Sequence, residues 1–274
     1  MSYYTSIQLN KEPFSTSPDP GFFYRSTEHL TALNRLEIAV RLRRGMSLIL
    51  GDVGTGKTTL SRALFQAFEM DPDYEFHMIL NPSFENENSF LVHLSKMFGV
   101  SPFFRGSGDF RDAIEKYLLH KNVDEQKTVV LVIDEAQKLS PEQLEILRTL
   151  LNYETNEYKF LQLVLLGQLE LWSQIREMEN LKDRINLKFL LRPLDEFETG
   201  KMIRYRLQAA GCVEPNLMFS NEAVKLIYDH TNGRPRRINM LCHMAMENLV
   251  MQDLRVVDAD LIGKIIEEEK KWEW

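Results

Sequence analysis

The sequence predicts an α/β fold, a three-layer sandwich in which helices cover both faces of a five-stranded, mostly parallel sheet. Three observations carry this prediction. Short apolar runs alternate with helix-period segments up to Leu194, a glycine-rich loop joins one such run to a helix, and only helical patterns follow. We therefore expect an α/β domain over residues 1–194 and an all-helical lid domain over residues 195–274.

The five apolar runs are rich in aliphatic and β-branched residues and have the lengths of buried strands. They lie at residues 46–50, 75–80, 128–133, 160–166 and 186–191. Because helical patterns separate them, neighbouring strands are expected to run parallel. The carboxyl ends of parallel strands meet at one edge of the sheet, where open α/β folds bind ligands.

The helices have recognisable boundaries. Ser140 directly precedes Pro141, which predicts a helix with a serine cap and a proline in its first turn. Gly45 and Gly99 follow helical stretches and are expected to end them. In the all-helical domain, helices are expected at residues 196–210, 221–231, 235–251 and 258–271.

The composition limits the class of protein. With 274 residues, of which 44% are hydrophobic, the chain can build a full core, and its net charge of −7 argues against a nonspecific nucleic-acid binder. Cys212 and Cys242 lack metal-ligand spacing and predict reduced thiols. The sequence contains neither an apolar signal segment nor a run of the about 20 apolar residues that a membrane span needs. We expect a cytoplasmic protein without a membrane segment.

Residues 51–59 read GDVGTGKTT, between an apolar run and a helical segment. Glycines let backbone N–H groups turn toward an anion, and the helix start and the Lys57 ammonium add positive charge at the same point. The spacing of Gly51, Gly56, Lys57 and Thr58 fits the P-loop pattern. We expect nucleotide phosphates to be held by Gly51, Asp52, Val53, Gly54, Thr55, Gly56, Lys57, Thr58 and Thr59.

A pair of acids ends the apolar run VVLVIDEA at residues 129–136. Asp134 and Glu135 are expected at the ligand-binding edge of the sheet. In a P-loop nucleotide site, an aspartate at this place helps to hold Mg²⁺ together with the Thr58 hydroxyl, and the following glutamate polarises the attacking water. A solvated turn is the alternative for two acids after a strand. In a chain that also has a P-loop, the pair favours hydrolysis of the nucleotide over binding alone.

Three further residues give weaker signals. Gln168 follows a predicted strand, at an edge where its amide could orient water or contact the γ-phosphate. Arg184 directly precedes the last predicted strand, and Arg236 lies in the first turn of a predicted helix of the all-helical domain. Loop glutamines and isolated arginines are also common on solvated surfaces.

Taken together, these motifs resemble the AAA+ ATPases, and within them the ATPase domain of the ExeA/GspA type. The resemblance extends over nearly the whole sequence, and its most specific parts are IDEAQKLSPEQLE and the element that reads GRPRRIN. It also rests on KEPFSTSPDPGFFYRSTEH, GDVGTGKTTL, LNPSF, LQLVLLGQLEL and the remainder of VVLVIDEAQKLSPEQLEILRTLLNYET.

The resemblance implies a P-loop NTPase fold with a helical AAA+ lid. It also implies an ATPase that depends on ATP and Mg²⁺. Such an ATPase would form a homo-oligomer with ATP and remodel a partner complex of the secretion or pilus type. By the same likeness, Gln168 matches the sensor 1 position and Arg236 the sensor 2 arginine. Arg184 is a candidate arginine finger that acts on the nucleotide of a neighbouring subunit. The segment from Pro18 to His29 would pack near the adenine, or alternatively cap the sheet without touching the ligand.

Some features of the family do not transfer. Secretion relatives continue into a transmembrane segment and a peptidoglycan-binding domain, and this sequence has neither, so we expect no membrane anchoring or wall binding. Leu169 stands where relatives commonly have proline. The protein partner is not identified. A DNA-bound regulator of the transposition-ATPase type is the rival hypothesis, with a DNA-facing surface formed by Arg41, Arg43, Arg44, Arg234, Arg236 and Arg237.

Overall fold

The computed structural model describes residues 3–15, 20–101 and 106–271, and their contacts divide them into two units. The sheet unit comprises His29–Asp52 and Leu60–Leu191. The helical unit comprises the described parts of Met1–Glu28, Val53–Thr59 and Arg192–Trp274.

Among the described residues, five strands form one sheet in the order β2-β3-β4-β1-β5, and every pairing is parallel. The strands are β1 (Met46–Gly51), β2 (Tyr74–Ile79), β3 (Thr128–Ile133), β4 (Leu161–Gly167) and β5 (Ile185–Leu191). Each lies within one residue of the apolar run that predicted it, so the predicted α/β class and strand positions are confirmed.

The central strands explain why the apolar runs are so easily recognised. Every residue of β1, β3 and β4 is buried, because helices cover both faces of this part of the sheet. The edge strand β5 instead alternates half-buried and exposed residues before Leu191, as a strand with one solvated face does. Leu48, Leu131 and Leu163 lie in the hydrophobic core of the sheet unit and are fully buried.

Most of the predicted helix boundaries are confirmed, among them the end at Gly99, which has a φ angle of +69°. The end predicted at Gly45 is wrong: the helix over Thr27–Arg41 is followed by Arg43 with a φ angle of +50°, and Gly45 lies directly before the strand that begins at Met46. Ser140 caps another predicted helix: its hydroxyl accepts a hydrogen bond from the Gln143 N–H (3.3 Å), and the Gln143 amide oxygen accepts one from the Ser140 N–H (3.0 Å). In chain order the helices are α1 (Tyr3–Ser6), α2 (Thr27–Arg41), α3 (Lys57–Phe68), α4 (Glu87–Met97), α5 (Ser107–Leu119), α6 (Pro141–Leu150), α7 (Leu169–Arg176), α8 (Glu179–Lys182), α9 (Glu196–Ala209), α10 (Asn221–Thr231), α11 (Pro235–Met251) and α12 (Ala259–Lys270). Over the ranges that the structure describes, no helix is both long and apolar enough for a bilayer span.

The helical unit has a hydrophobic core of its own. The described residues after Leu194 form no strand, and α9 to α12 lie at the predicted positions to within one residue. Leu207, Ile238 and Ile262 are buried in this core. Phe14, from the N-terminal part of the chain, is buried in the same cluster.

A buried arginine holds the N-terminal segment on the helical unit. Arg206 of α9 is only 7% exposed, and its guanidinium donates hydrogen bonds to the carbonyl oxygens of Pro13 (2.7 Å), Ser15 (2.9 Å) and Phe22 (3.2 Å). The planar guanidinium carries several donors, so one side chain can satisfy several carbonyl groups. Of the segment expected near the adenine, Pro18 and Asp19 lie outside the described residues, and its proximity to the nucleotide stays a prediction.

Candidate nucleotide-binding site

The glycine-rich loop has the local structure that its sequence predicts. β1 ends at Gly51, and α3 begins at Lys57, so the loop leads directly from a buried strand into a helix. Gly54 and Gly56 have φ angles of +79° and +100°, in a region that glycine enters without steric cost. This strand, loop and helix form the context that the P-loop pattern requires.

The first turn of α11 lies against this loop within the helical unit. The backbone N–H of Arg236 donates a hydrogen bond to the carbonyl oxygen of Gly54 (3.3 Å). A Cβ atom at Gly54 would lie 2.9 Å from the Cβ of Arg236, closer than side-chain atoms normally approach. The Arg236 side chain is exposed. The structure therefore brings the arginine at the predicted sensor 2 position next to the phosphate-binding loop.

The sequence TNGRPRR builds the turn that places Arg236. Asn232 and Gly233 have positive φ angles and end α10, as residues at a helix C-terminus commonly do. The Gly233 carbonyl accepts a hydrogen bond from the Leu194 N–H (2.9 Å), and a side chain at Gly233 would overlap the Leu194 carbonyl group. Pro235 then starts α11, so Arg236 falls in its first turn.

The acid pair lies at the carboxyl end of β3. Asp134 is 1% exposed, and its carboxylate accepts a hydrogen bond from the N–H of Glu135 (2.9 Å). Glu135 has a φ angle of +53°, which is uncommon for a residue with a side chain. The left-handed conformation turns the chain at once from the strand into a short 3₁₀ turn, Ala136–Lys138. Strain of this kind is often retained at functional sites.

Gln168 lies at the same edge of the sheet unit. It follows β4, the strand next to β3, and occupies the N-cap position of α7. The side chain of Gln137 links it to the acid pair, because Gln137 Nε2 donates to Glu135 Oε2 (2.8 Å) and Gln137 Oε1 accepts from the Gln168 N–H (3.2 Å). Sequence reasoning did not single out Gln137, although it lies two residues after Glu135 in the segment IDEAQKL.

Arg184 lies at the opposite edge. It precedes β5, which runs parallel to the other strands, so about 20 Å of strand separates this position from the ligand edge. Its guanidinium donates a hydrogen bond to the Leu151 carbonyl (3.2 Å). Arg184 lines a cavity of about 380 Å³ together with other residues that include Arg44, Arg148 and Lys159. Burial and the Arg184 charge lower the pKa of Lys159.

Two arginines of the possible DNA-facing set already have partners within the sheet unit. Arg41 lies 3.7 Å from the Asp71 carboxylate, and the Arg43 Nε donates to the Thr128 hydroxyl (2.8 Å). The Arg43 guanidinium also lies over the Tyr158 ring, 4.2 Å from its centre. These contacts give both residues a structural role in positioning the chain before β1.

A glycine-rich loop that opens a helix, together with two acids at the carboxyl end of a buried parallel strand, defines a P-loop nucleoside triphosphatase. Residues 40–175 match the family described as the AAA domain. The chain is also 39% identical over 242 residues to general secretion pathway protein A of Aeromonas hydrophila. The chain belongs to the AAA ATPases of the ExeA/GspA type.

That alignment covers 87% of this chain and 43% of the relative, so the chain spans less than half of the relative's length. Solved structures share the fold. The ORC2 protein of Aeropyrum pernix in its ADPNP–ADP complexes superposes with a TM-score of 0.67 at 18% identity, over 94% of this chain and 71% of that one. Drosophila ORC bound to DNA superposes with a TM-score of 0.66 at 19% identity, over 96% of this chain and 65% of that one. The predicted P-loop NTPase fold is thereby confirmed.

Proposed function

We propose that ATP binding assembles this chain into a homo-oligomer and that hydrolysis resets a bound partner complex. The position of Arg184 carries the proposal. Within the sheet unit, Arg184 lies at the edge opposite to Glu135 and Gln168. An arginine that stabilises charge on the transferred γ-phosphate from this position has to act on the nucleotide of another subunit.

The P-loop would hold the nucleotide phosphates through its backbone N–H groups and Lys57, whose ammonium would lie against the β- and γ-phosphates. The Thr58 hydroxyl and the Asp134 carboxylate are the oxygen donors that suit Mg²⁺, and we assign that ion to them, in part through water. When bound, Mg²⁺ offsets the negative charge of the phosphates.

Glu135 would take a proton from the attacking water, because a carboxylate at the end of β3 can lie within hydrogen-bond distance of that water. Gln168 and Arg236 would detect the γ-phosphate within the same subunit. The hydrogen bond between the Arg236 N–H and the Gly54 carbonyl supports this role, since a change in the loop would reach α11 directly.

The oligomer is tested by mixing two variants. Lys57→Ala chains lack the charge that holds ATP but keep Arg184, and Arg184→Ala chains keep the P-loop. Each alone should be inactive, and mixed oligomers should regain part of the ATPase rate, because one interface then has both groups intact. Arg255→Ala, at an exposed arginine after α11, is the matched control and should hydrolyse ATP at the native rate.

Mixed oligomers with no recovered activity at any ratio would exclude Arg184 as a residue that acts on a neighbouring subunit. Arg176, exposed at the end of α7, would then be tested in the same way. Light scattering with ATP and with ADP measures assembly directly, and a mass that is the same with both nucleotides would contradict nucleotide-dependent oligomerisation.

The partner complex and the compartment extend the same proposal. General secretion pathway protein A, as its name says, belongs to a secretion pathway, and we propose a partner of the secretion or pilus type. Cys212 and Cys242 are free thiols, which suits a reducing cytoplasm. Cell fractionation tests the location, and recovery of this chain with the envelope fraction would contradict it.

A DNA-bound regulator is the second candidate function. Arg44 and Arg184 line one cavity beside Asp183 and suit an anionic ligand there, whereas Arg148 and Lys159 in its wall are paired with Glu145 and Glu154. One protein that shares the fold is an ORC bound to DNA. This candidate predicts binding to duplex DNA that weakens steeply as salt rises, and an ATPase rate that DNA changes. Fluorescence anisotropy with labelled duplex, over a salt series, measures the first effect. No binding at low salt would exclude it.

A further inference from the structure

The side-chain amide of Gln137 connects the ends of two neighbouring strands. Its nitrogen donates to Glu135 Oε2 (2.8 Å), after β3, and its oxygen accepts from the Gln168 N–H (3.2 Å), after β4. A primary amide has a donor and an acceptor on adjacent atoms, so it can make both bonds at once. A carboxylate of the same length could only accept, and an apolar side chain could do neither.

The surrounding chain holds this amide in place. The Gln137 carbonyl oxygen accepts a hydrogen bond from the side chain of Gln174 on α7 (3.3 Å). A Cβ atom at Gly167 would lie 3.0 Å from Gln137 Oε1 and 2.7 Å from Leu171 Cδ2, so the glycine leaves the space that the amide occupies. Contacts within its own turn, with the residue that follows β4 and with α7 thus fix the position of Gln137.

We propose that Gln137 is a positioning residue for ATP hydrolysis, which holds the Glu135 carboxylate and couples it to Gln168. The inference rests on the proposed role of Glu135 as the base. Backbone geometry fixes the Cα of Glu135, but its side chain has further rotatable bonds. A charge-assisted hydrogen bond to one carboxylate oxygen restricts those rotations and leaves the other oxygen for the attacking water. When the γ-phosphate shifts the backbone of Gln168, the Gln137 amide that is bonded to it moves as well, and the Glu135 carboxylate moves with the amide.

Two substitutions, Gln137→Met and Gln137→Glu, separate the effect of the hydrogen bonds on catalysis from the effect of the side-chain volume. Gln137→Met keeps the length and volume and removes both bonds. We expect its kcat to fall at least about tenfold, short of the about 10²–10⁴-fold that a general base contributes. The Kd for ATP should change less than about twofold, because the hydrogen bonds of Gln137 are made with Glu135, Gln168 and Gln174. Gln208→Met, at an exposed glutamine of α9, is the control and should leave kcat unchanged.

Gln137→Glu provides a readout that a purely structural role would not give. Its carboxylate keeps the length of the side chain and can still accept from the Gln168 N–H, but it cannot donate to Glu135. Its kcat should therefore fall at least as far as that of Gln137→Met, while the Kd for ATP stays within about twofold of the native value. A native kcat in Gln137→Glu would overturn the proposal.

A double-mutant cycle separates this inference from the proposed function. In the Glu135→Gln background, Gln137→Met should cost no further activity, because the carboxylate that it positions is gone. Native hydrolysis by Glu135→Gln would refute the role of Glu135 itself. An inactive Glu135→Gln beside a fully active Gln137→Met would overturn only the role of Gln137. Equal losses of ATP affinity and kcat in Gln137→Met would also overturn it, by showing a structural role.

Discussion

The backbone N–H of Arg236 donates a hydrogen bond to the carbonyl oxygen of Gly54, with the two atoms 3.3 Å apart. The contact joins the first turn of α11 to the middle of the P-loop. The absence of a side chain at Gly54 makes it possible, because a Cβ there would lie 2.9 Å from the Cβ of Arg236. Gly54 thus has two functions, a positive φ angle in the loop and close approach to α11.

Gly54→Ala should weaken ATP binding at least about tenfold. The methyl group would meet Arg236, and the φ angle of +79° is costly for alanine by about 1–2 kcal/mol, so the loop or α11 has to move. Calorimetric titration with ATP measures the affinity. Gly263→Ala is the control, since Gly263 lies inside α12 with open space around it, and it should leave ATP affinity unchanged while raising stability by up to about 1 kcal/mol. Equal ATP affinities in the two variants would contradict the expected result.

Arg236→Ala should reduce the distinction between ATP and ADP. A charged hydrogen bond to a phosphate contributes about 1.5–3 kcal/mol, so the ratio of the Kd values for ADP and ATP should fall about tenfold or more. Fluorescence titrations with both nucleotides give that ratio. Arg255→Ala serves again as an exposed control. A native ratio in Arg236→Ala would remove Arg236 from the sensor role.

Arg206→Ala should release the N-terminal segment from the helical unit and lower the free energy of unfolding by about 3 kcal/mol, because buried carbonyl groups lose their donor. Limited trypsin digestion should then cut at the exposed Lys11 faster than in the native chain. Lys201→Ala, at an exposed position of the same helix, should change neither quantity. Native protection of Lys11 in Arg206→Ala would show that other contacts suffice to hold the segment.

His77 should make stability depend on pH. Burial lowers its pKa, and its ring lies beside Tyr117 (Nε2 to OH, 3.1 Å) and Phe98. The unfolded state therefore binds a proton more readily, and stability is lost as the pH falls below about 6.5. His77→Gln should reduce the loss in unfolding free energy between about pH 8 and about pH 5. His93→Gln, at an exposed histidine, should retain the native loss. Identical pH profiles for native protein and His77→Gln would contradict this.

The sequence predicted the sheet well because its central strands are buried on both faces and stand out as continuous apolar runs. The P-loop was equally clear, since its spacing and its position between a strand and a helix occur together. The contacts of Gln137 could not be predicted in the same way. They depend on β3 lying beside β4, and the sequence indicated parallel strands without giving their order.

The left-handed conformation of Glu135 also escaped sequence reasoning, because a glutamate carries no general preference for positive φ. Arg236 was predicted from its place in the first turn of a helix and from the family resemblance. Its contact with Gly54 depends on the turn at Asn232 and Gly233, whose geometry follows from tertiary contacts with Leu194.

The rate of ATP hydrolysis by Glu135→Gln decides whether the Glu135 carboxylate is the base. The amide keeps the shape of the side chain, and Lys57, Thr58 and Asp134 remain, so ATP should bind with close to native affinity. Phosphate release in a single turnover should fall by about 10²–10⁴-fold, because the carboxylate that takes the proton from water is gone. Hydrolysis at the native rate, with ATP bound as tightly as in the native chain, would contradict the assignment of Glu135 as the base.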